Sequence, residues 1–202
     1  MRPRRYGDEG QAFPIYITVV AGLLFVAFAY LAVGQAAASR NGAQTAADAA
    51  ALAAAQDTRD QLAGAWVKDV LDPTKWQGIF DGNGAVEDSC WRAYQLASQN
   101  DAQLDGGAGG CQRRPWPLGY TVYVETNKPI GDSIVPGTEH QKSKAHATAV
   151  IESLCTFKLP AEDAGDKVLP RLTCKGREWY LNPHHLSDLP GPEDLFDVHL
   201  AD

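Results

Sequence analysis

The chain has 202 residues, of which 45% are hydrophobic and 21% charged, with a formal net charge of −7 at pH 7. That length suits one ordinary domain plus an additional element, and the composition excludes both a disordered chain and a multi-span transporter. The acidic surplus argues against a nucleic-acid partner, which would want a basic face, and the uneven spread of apolar residues excludes a free cytosolic globule.

The first ten residues set Arg2, Arg4 and Arg5 against Asp8 and Glu9 and read as a cytoplasmic leader (1–10). From Ala12 to Ala38, 27 residues pass without a charge. A bilayer core takes ~20 apolar residues as a helix, so this run is long enough to span. Basic residues cluster before it, whereas residues 41–202 carry 14 Lys/Arg against 23 Asp/Glu. The positive-inside rule then places the N-terminus in the cytoplasm and the body outside a cell membrane crossed once, with the lipid bilayer as a partner. The rival is a cleaved secretory signal ending at Ala36-Ala37-Ala38. Its apolar region would be ~7–15 residues, about half of what is present.

Residues 36–55 contain 12 alanines in 20 positions. Alanine is the strongest helix former, and no proline intervenes between Pro14 and Pro73. The membrane helix is therefore expected to continue unbroken over 11–70, about 85 Å from Pro14 onward at 1.5 Å per residue. Asn41, Gln44 or Thr45, and Asp48 form a narrow polar stripe at helical spacing. Ala46, Ala47, Asp48, Ala49, Ala50, Ala51 and Leu52 form the expected packing motif. Small side chains let helix axes approach closely, which favours bundling with partner helices over a hydrophobic core.

Beyond the helix, Asp72-Pro73 and Asp81-Gly82-Asn83-Gly84 mark a linker over 71–84. Val86 to Gln103 has helical spacing, and Gly106 to Gly110 ends it. Tyr120 to Thr126 alternates as a strand, Ala145 to Leu159 is long enough for one more, and Val168 to Leu181 supplies a third with a bend at Gly176. The expected head over 85–181 is thus small and α+β. Residues 182–202, rich in Pro, Asp and Leu, read as an irregular acidic tail. The fold class is α+β: a long transmembrane, alanine-rich helix carrying a disulfide-stapled extracytoplasmic head.

Cys90, Cys111, Cys155 and Cys174 have no Cys-x-x-Cys spacing, so zinc-ribbon and thioredoxin-like readings lack their basis. Outside the membrane, oxidation is the default. Of three connectivities, the local pairs Cys90–Cys111 and Cys155–Cys174 are preferred, the second joining neighbouring strands. His184-His185 and His199 sit near acids without metal-ligand spacing. No nucleophile elbow, P-loop or dinucleotide fingerprint occurs. No catalytic residue, metal, cofactor or small-molecule substrate is expected, and the chain does not read as an enzyme.

The leader ending in glycine, the apolar helix and the run Thr45-Ala46-Ala47-Asp48-Ala49-Ala50-Ala51-Leu52-Ala53-Ala54-Ala55 together resemble the N-terminal segment of Flp/Tad pilus-assembly proteins, in particular the TadG-like N-terminal domain. The resemblance covers Gly10 to Gln56. It implies a structural, pilin-like component whose partners are pilin-like or Tad assembly membrane proteins, and it makes Gly10-Gln11 the bond for prepilin-type processing. Two features depart from the family. In type IVb pilins the fifth mature residue is glutamate, whereas counting from Gln11 gives Ile15, followed by the matching Tyr16. The metal-dependent adhesion motif of longer TadG-like proteins is missing, since Asp132-Ser133 runs into Ile134-Val135. The alternative to a pilus component is a secreted or anchored extracellular binding domain unrelated to pili.

Overall fold

The computed structural model describes residues 12–129, 140–159, 169–182 and 188–201. With alanine dominating its middle and its one proline, Pro14, in the first turn where no backbone donor is needed, one helix, α1, runs uninterrupted over Ala12–Lys68. Three short helices follow, α2 (Trp76–Phe80), α3 (Cys90–Gln99) and α4 (Pro192–Leu195). The described strands are β1 (Ala102–Leu104), β2 (Cys111–Pro115), β3 (Leu118–Thr126), β4 (Lys144–Ser153), β5 (Cys155–Phe157), β6 (Leu172–Cys174), β7 (Arg177–Trp179) and β8 (Phe196–Leu200). The main sheet is antiparallel in the order β1-β3-β4-β8, with β2 also paired to β3. Strands β5, β6 and β7 make a separate antiparallel sheet.

The second half of α1 lies across β3, β4 and β8, with α3 alongside it. Side-chain alternation decides which sheet face it meets: Tyr120, Val122 and Val124 of β3 and Ala147, Ala149 and Ile151 of β4 share one face and are all buried. Gly119 of β3 lies against the β4 backbone. A Cβ there would fall 2.0 Å from the Ala149 carbonyl oxygen, so no larger residue fits without moving the strands. Lys175 and Gly176 both have positive φ, which gives β6 and β7 a two-residue hairpin turn matched to strand twist.

Several sequence expectations are corrected. The segment expected as a linker over 71–84 contains α2, whose Trp76, Ile79 and Phe80 are buried. Trp76 meets Trp66 at 5.5 Å between ring centroids and Phe157 at 5.2 Å, while Phe80 meets Phe196 at 5.8 Å. The tail is not irregular where described, because α4 and β8 occupy 192–200 and β8 completes the main sheet against β4. The helix expected over 86–103 is shorter. The Asp88 carboxylate accepts the Cys90 N–H at its start, and Asp101, at φ 55°, turns the chain out of it so that Ala102–Leu104 can pair with β3. The strand expected over 145–159 is two strands in two sheets. The break falls at Leu154, whose N–H is taken by the Leu195 carbonyl.

The cysteines form Cys90–Cys111 and Cys155–Cys174. The first ties α3 to β2, and the second staples partners that face each other in register across β5 and β6. Closing loops with sequence separations of 21 and 19 residues is worth ~3 kcal/mol each on the chain-entropy account.

A buried polar chain locks α1 to the rest of the head. The Ser89 hydroxyl donates to Asp57 Oδ2 at 2.8 Å. Because a carboxylate only accepts, Ser89 Oγ is left to accept from Thr58 (2.8 Å), and Thr58 Oγ1 accepts in turn from the Tyr120 hydroxyl (2.9 Å). The Tyr120 oxygen closes the circuit by accepting the Ser89 N–H at 3.1 Å. Thr58, Ser89 and Tyr120 are all fully buried. Tyr120→Phe removes one member and leaves two buried groups without their partner. It is expected to lower unfolding free energy by ~1–3 kcal/mol, measured by denaturant titration.

On the outer sheet face, Lys142 (3.1 Å) and Lys144 (3.4 Å) flank the Glu125 carboxylate. The Lys142 ammonium first, then Lys144, hold that carboxyl below the usual carboxylate range despite partial desolvation. A depressed folded-state value means the stabilisation is present above the unfolded value and disappears as pH falls through the folded one. Glu125→Gln is therefore expected to lower the melting temperature slightly at neutral pH and to leave it nearly unchanged below the folded-state value, which flattens the acid limb of a melting-temperature profile.

Candidate functional site

The candidate site is α1 itself, because its two halves face different surroundings. In the first half the large apolar side chains project freely: Leu23 is 67% exposed, Phe25 70% and Tyr30 80%. No part of the described head covers them. At 1.5 Å per residue, Ala12–Ala38 spans about 40 Å, more than the ~30 Å of a bilayer's hydrocarbon core. The helix is long and apolar enough to cross a membrane, with a mean hydropathy of 2.4 in its most apolar stretch.

The change of surroundings is abrupt. Ser39, next before the first charge at Arg40, bonds the Ser143 hydroxyl at 2.8 Å, at the foot of β4. One turn later Ala43 is fully buried. Head and apolar segment therefore share one continuous helix with no intervening linker. The polar stripe serves this junction, since Gln44 Nε2 donates to Asp48 Oδ1 at 2.7 Å and to the His146 carbonyl at 3.3 Å.

The alanine motif lies just beyond. Ala46, Ala47, Ala50, Ala51, Ala54 and Ala55 are completely buried, at the three- and four-residue steps that make one helix face. They meet small residues in return: Ala93 and Ala97 of α3 and Ala147 and Ala149 of β4 belong to the same core. The close approach expected between separate helices is thus used inside the chain, against its own helix and sheet. The reason is topological, because the sheet returns to the helix that precedes it and claims the alanine face. What α1 leaves partly uncovered is the opposite stripe, with Asp48, Ala49 and Leu52 half-buried and Thr45 and Gln56 exposed.

Gly10 and Gln11 lie outside the described residues, as do His184 and His185. His199 stands on β8 with its Nδ1 3.0 Å from Asp197 Oδ2. Among the described residues no three His, Cys, Asp or Glu side chains converge as metal ligands. Sequence reasoning missed the Ser39–Ser143 junction and the Asp57–Thr58–Ser89–Tyr120 chain. Isolated hydroxyls carry no periodic signal, and only the fold brings them together.

Residues 10–57 match the family described as putative Flp pilus-assembly TadE/G-like. No curated protein and no solved structure matches the chain. The match ends inside α1, so the Tad-like segment comprises the apolar half of the helix and the alanine face but not the sheet packed on it.

Adding bulk to the buried face separates these roles. Ala50→Leu keeps helix propensity but overpacks the contact with the sheet, and is expected to cost ~1–3 kcal/mol of head stability. Ala49→Leu, on the half-buried opposite stripe, is expected to leave the melting temperature nearly unchanged. Calorimetry of both variants checks the assignment of faces.

Proposed function

We propose that this chain is a structural, non-catalytic component of a Tad/Flp-type pilus or a related assembly system, held by one membrane helix. The observation that carries the reading is the division of α1: one half exposes large apolar side chains all round, while the other is sealed into a folded head. Lipid supplies the environment that the first half lacks in water. The match over residues 10–57 supports the Tad-type role. The two disulfides suit an oxidising compartment. The arginines ahead of the helix suit a cytoplasmic N-terminus. Together these favour a head on the extracytoplasmic side.

In this reading the partly uncovered stripe of α1, through Thr45, Ala49, Leu52 and Gln56, remains available to helices of other Tad components. Ile15, where pilins place a glutamate, leaves this chain without a carboxylate to pair with a neighbouring subunit's terminal amine. An unpaired charge in an apolar setting costs several kcal/mol. The chain therefore suits a minor, tip-like subunit or an unprocessed anchor beside the machine rather than a repeated filament subunit.

Membrane fractionation tests the reading. The protein is expected to stay with membranes through carbonate washing, with its head open to protease added from outside. Mass spectrometry of the mature N-terminus then separates the two roles: Gln11 marks the processed subunit, and Met1 or Arg2 the anchor. A soluble product beginning at Ser39 would overturn the membrane reading.

A further inference from the structure

Basic residues are outnumbered in the head, yet several of them gather at one level. Residues 41–202 carry 14 Lys/Arg against 23 Asp/Glu. At the junction, Ser39 meets Ser143 at 2.8 Å. The Thr126 N–H donates to the Ser143 carbonyl at 2.9 Å. The Thr126 hydroxyl oxygen accepts the Ser143 N–H at 3.1 Å and donates to the Lys128 carbonyl at 2.9 Å. Arg40 follows Ser39, and Lys142 and Lys144 flank Ser143. Arg40, Lys128, Lys142 and Lys144 therefore belong to one knot of bonds, with Lys142 partly exposed and the other three exposed.

Strand direction puts this group on the side of the apolar segment. Gln44 reaches the His146 carbonyl at 3.3 Å, so α1 and β4 advance together from the Ser39–Ser143 contact. Lys142 precedes that contact. Lys128 lies just past the end of β3, which runs antiparallel to β4 and so finishes at the same level. Nearby carboxylates offset only part of the charge. Glu125 takes Lys142 at 3.1 Å and Lys144 at 3.4 Å, and Asp105 takes Lys144 at 3.0 Å. Asp101 is also close, since its carbonyl accepts the Asn127 N–H. Arg40 and Lys128 have no carboxylate partner among the described residues. An ammonium offers several donors, so Lys142 keeps some free of Glu125.

Resting on the membrane reading of α1, we propose that Arg40, Lys128, Lys142 and Lys144 form a collar that binds the phosphates of anionic phospholipid headgroups where the helix leaves the bilayer. The layout selects this occupant. A free anion would need donors converging on one point, whereas these cations share a level while standing on different sides of the junction. A headgroup layer is a plane, so level is what matters and the side of the helix is not. Long basic side chains reach such a layer while their stems lie along apolar surface. Each one near an anionic surface strengthens the attachment about fivefold. The collar also follows directly on the end of the uncharged run, so the lipid that covers the apolar half of α1 is the nearest source of phosphate.

The test uses the full chain in nanodiscs of either phosphatidylglycerol or the uncharged digalactosyl diacylglycerol. A pulse of an amine-acetylating reagent is read by mass spectrometry. Lys128 and Lys142 are expected to react about fivefold more slowly in the phosphatidylglycerol discs, and added salt should narrow the gap. Lys158, exposed next to Phe157 at the aromatic end of the head, should react equally in both. From maltoside micelles containing both lipids, Arg40→Gln and Lys128→Gln should each retain about fivefold less phosphatidylglycerol, with unchanged circular-dichroism melts. Lys158→Gln should retain as much as the parent chain. Equal labelling of Lys128 in the two discs, equal slowing at Lys158, or full retention by both collar variants would each overturn the proposal. So would protection of Lys128 by glycerol 3-phosphate in maltoside alone, since the ligand would then be a free phosphate. A chain that stays out of both discs sinks the membrane reading together with the collar, whereas one that enters them and labels equally sinks the collar alone.

Discussion

Close approach between the alanine face of α1 and the sheet is the constraint on which the head depends. Alanine contributes only a methyl to burial, on the order of 0.8 kcal/mol for each such group. A contact built from methyls repays its ordering only when the backbones come near enough for those groups to touch on every side. That explains why small residues recur on all the surfaces meeting there, Ala93 and Ala97 on α3 and Ala147 and Ala149 on β4. One bulky residue on this face would wedge open helix and sheet together.

The alanine contact is weak per residue, and the head gains bulk elsewhere. At the far end of α1, Trp66, Trp76, Phe80, Phe157 and Phe196 form an aromatic cluster that joins the helix, α2, the small sheet and β8. A single tryptophan buries 150–250 Å², many times an alanine's share. Between the two regions the Asp57–Thr58–Ser89–Tyr120 chain sets the rotation of α1 on the sheet, because hydrogen bonds are directional where methyl packing is not. Alanine packing gives closeness, the aromatic cluster gives buried area, and the polar chain gives register. The disulfides then restrict the unfolded chain around α3 and the small sheet, where the strands are only three residues long.

The same helix sets how the head sits relative to the apolar segment. Because the Ser39–Ser143 contact falls where the uncharged run ends, a head on a membrane-embedded α1 stands directly at the surface, with no flexible joint. In the proposed role a displacement of the helix is passed to the head as a rigid body. The aromatic end lies at the far end of α1 from the apolar segment.

The sequence by itself determined the features that rest on local chemistry repeated over many residues. Fifty-seven residues of helix follow from alanine and the lack of a proline after Pro14 in the first turn, and the division near Ser39 follows from the return of charge at Arg40. The alternation through Tyr120–Thr126 was legible as β3, and the local cysteine spacing as two staples. Tertiary structure alone decided what the alanine face touches, since helical spacing gives a face but not its occupant. It also turned Trp76–Phe80 from linker into core, and Phe196–Leu200 from tail into the strand beside β4. Segments of three to five residues are too short to show a period. Their conformation is fixed by partners distant in the chain: Phe157 for Trp76, β4 for β8, and Leu195 for the break at Leu154.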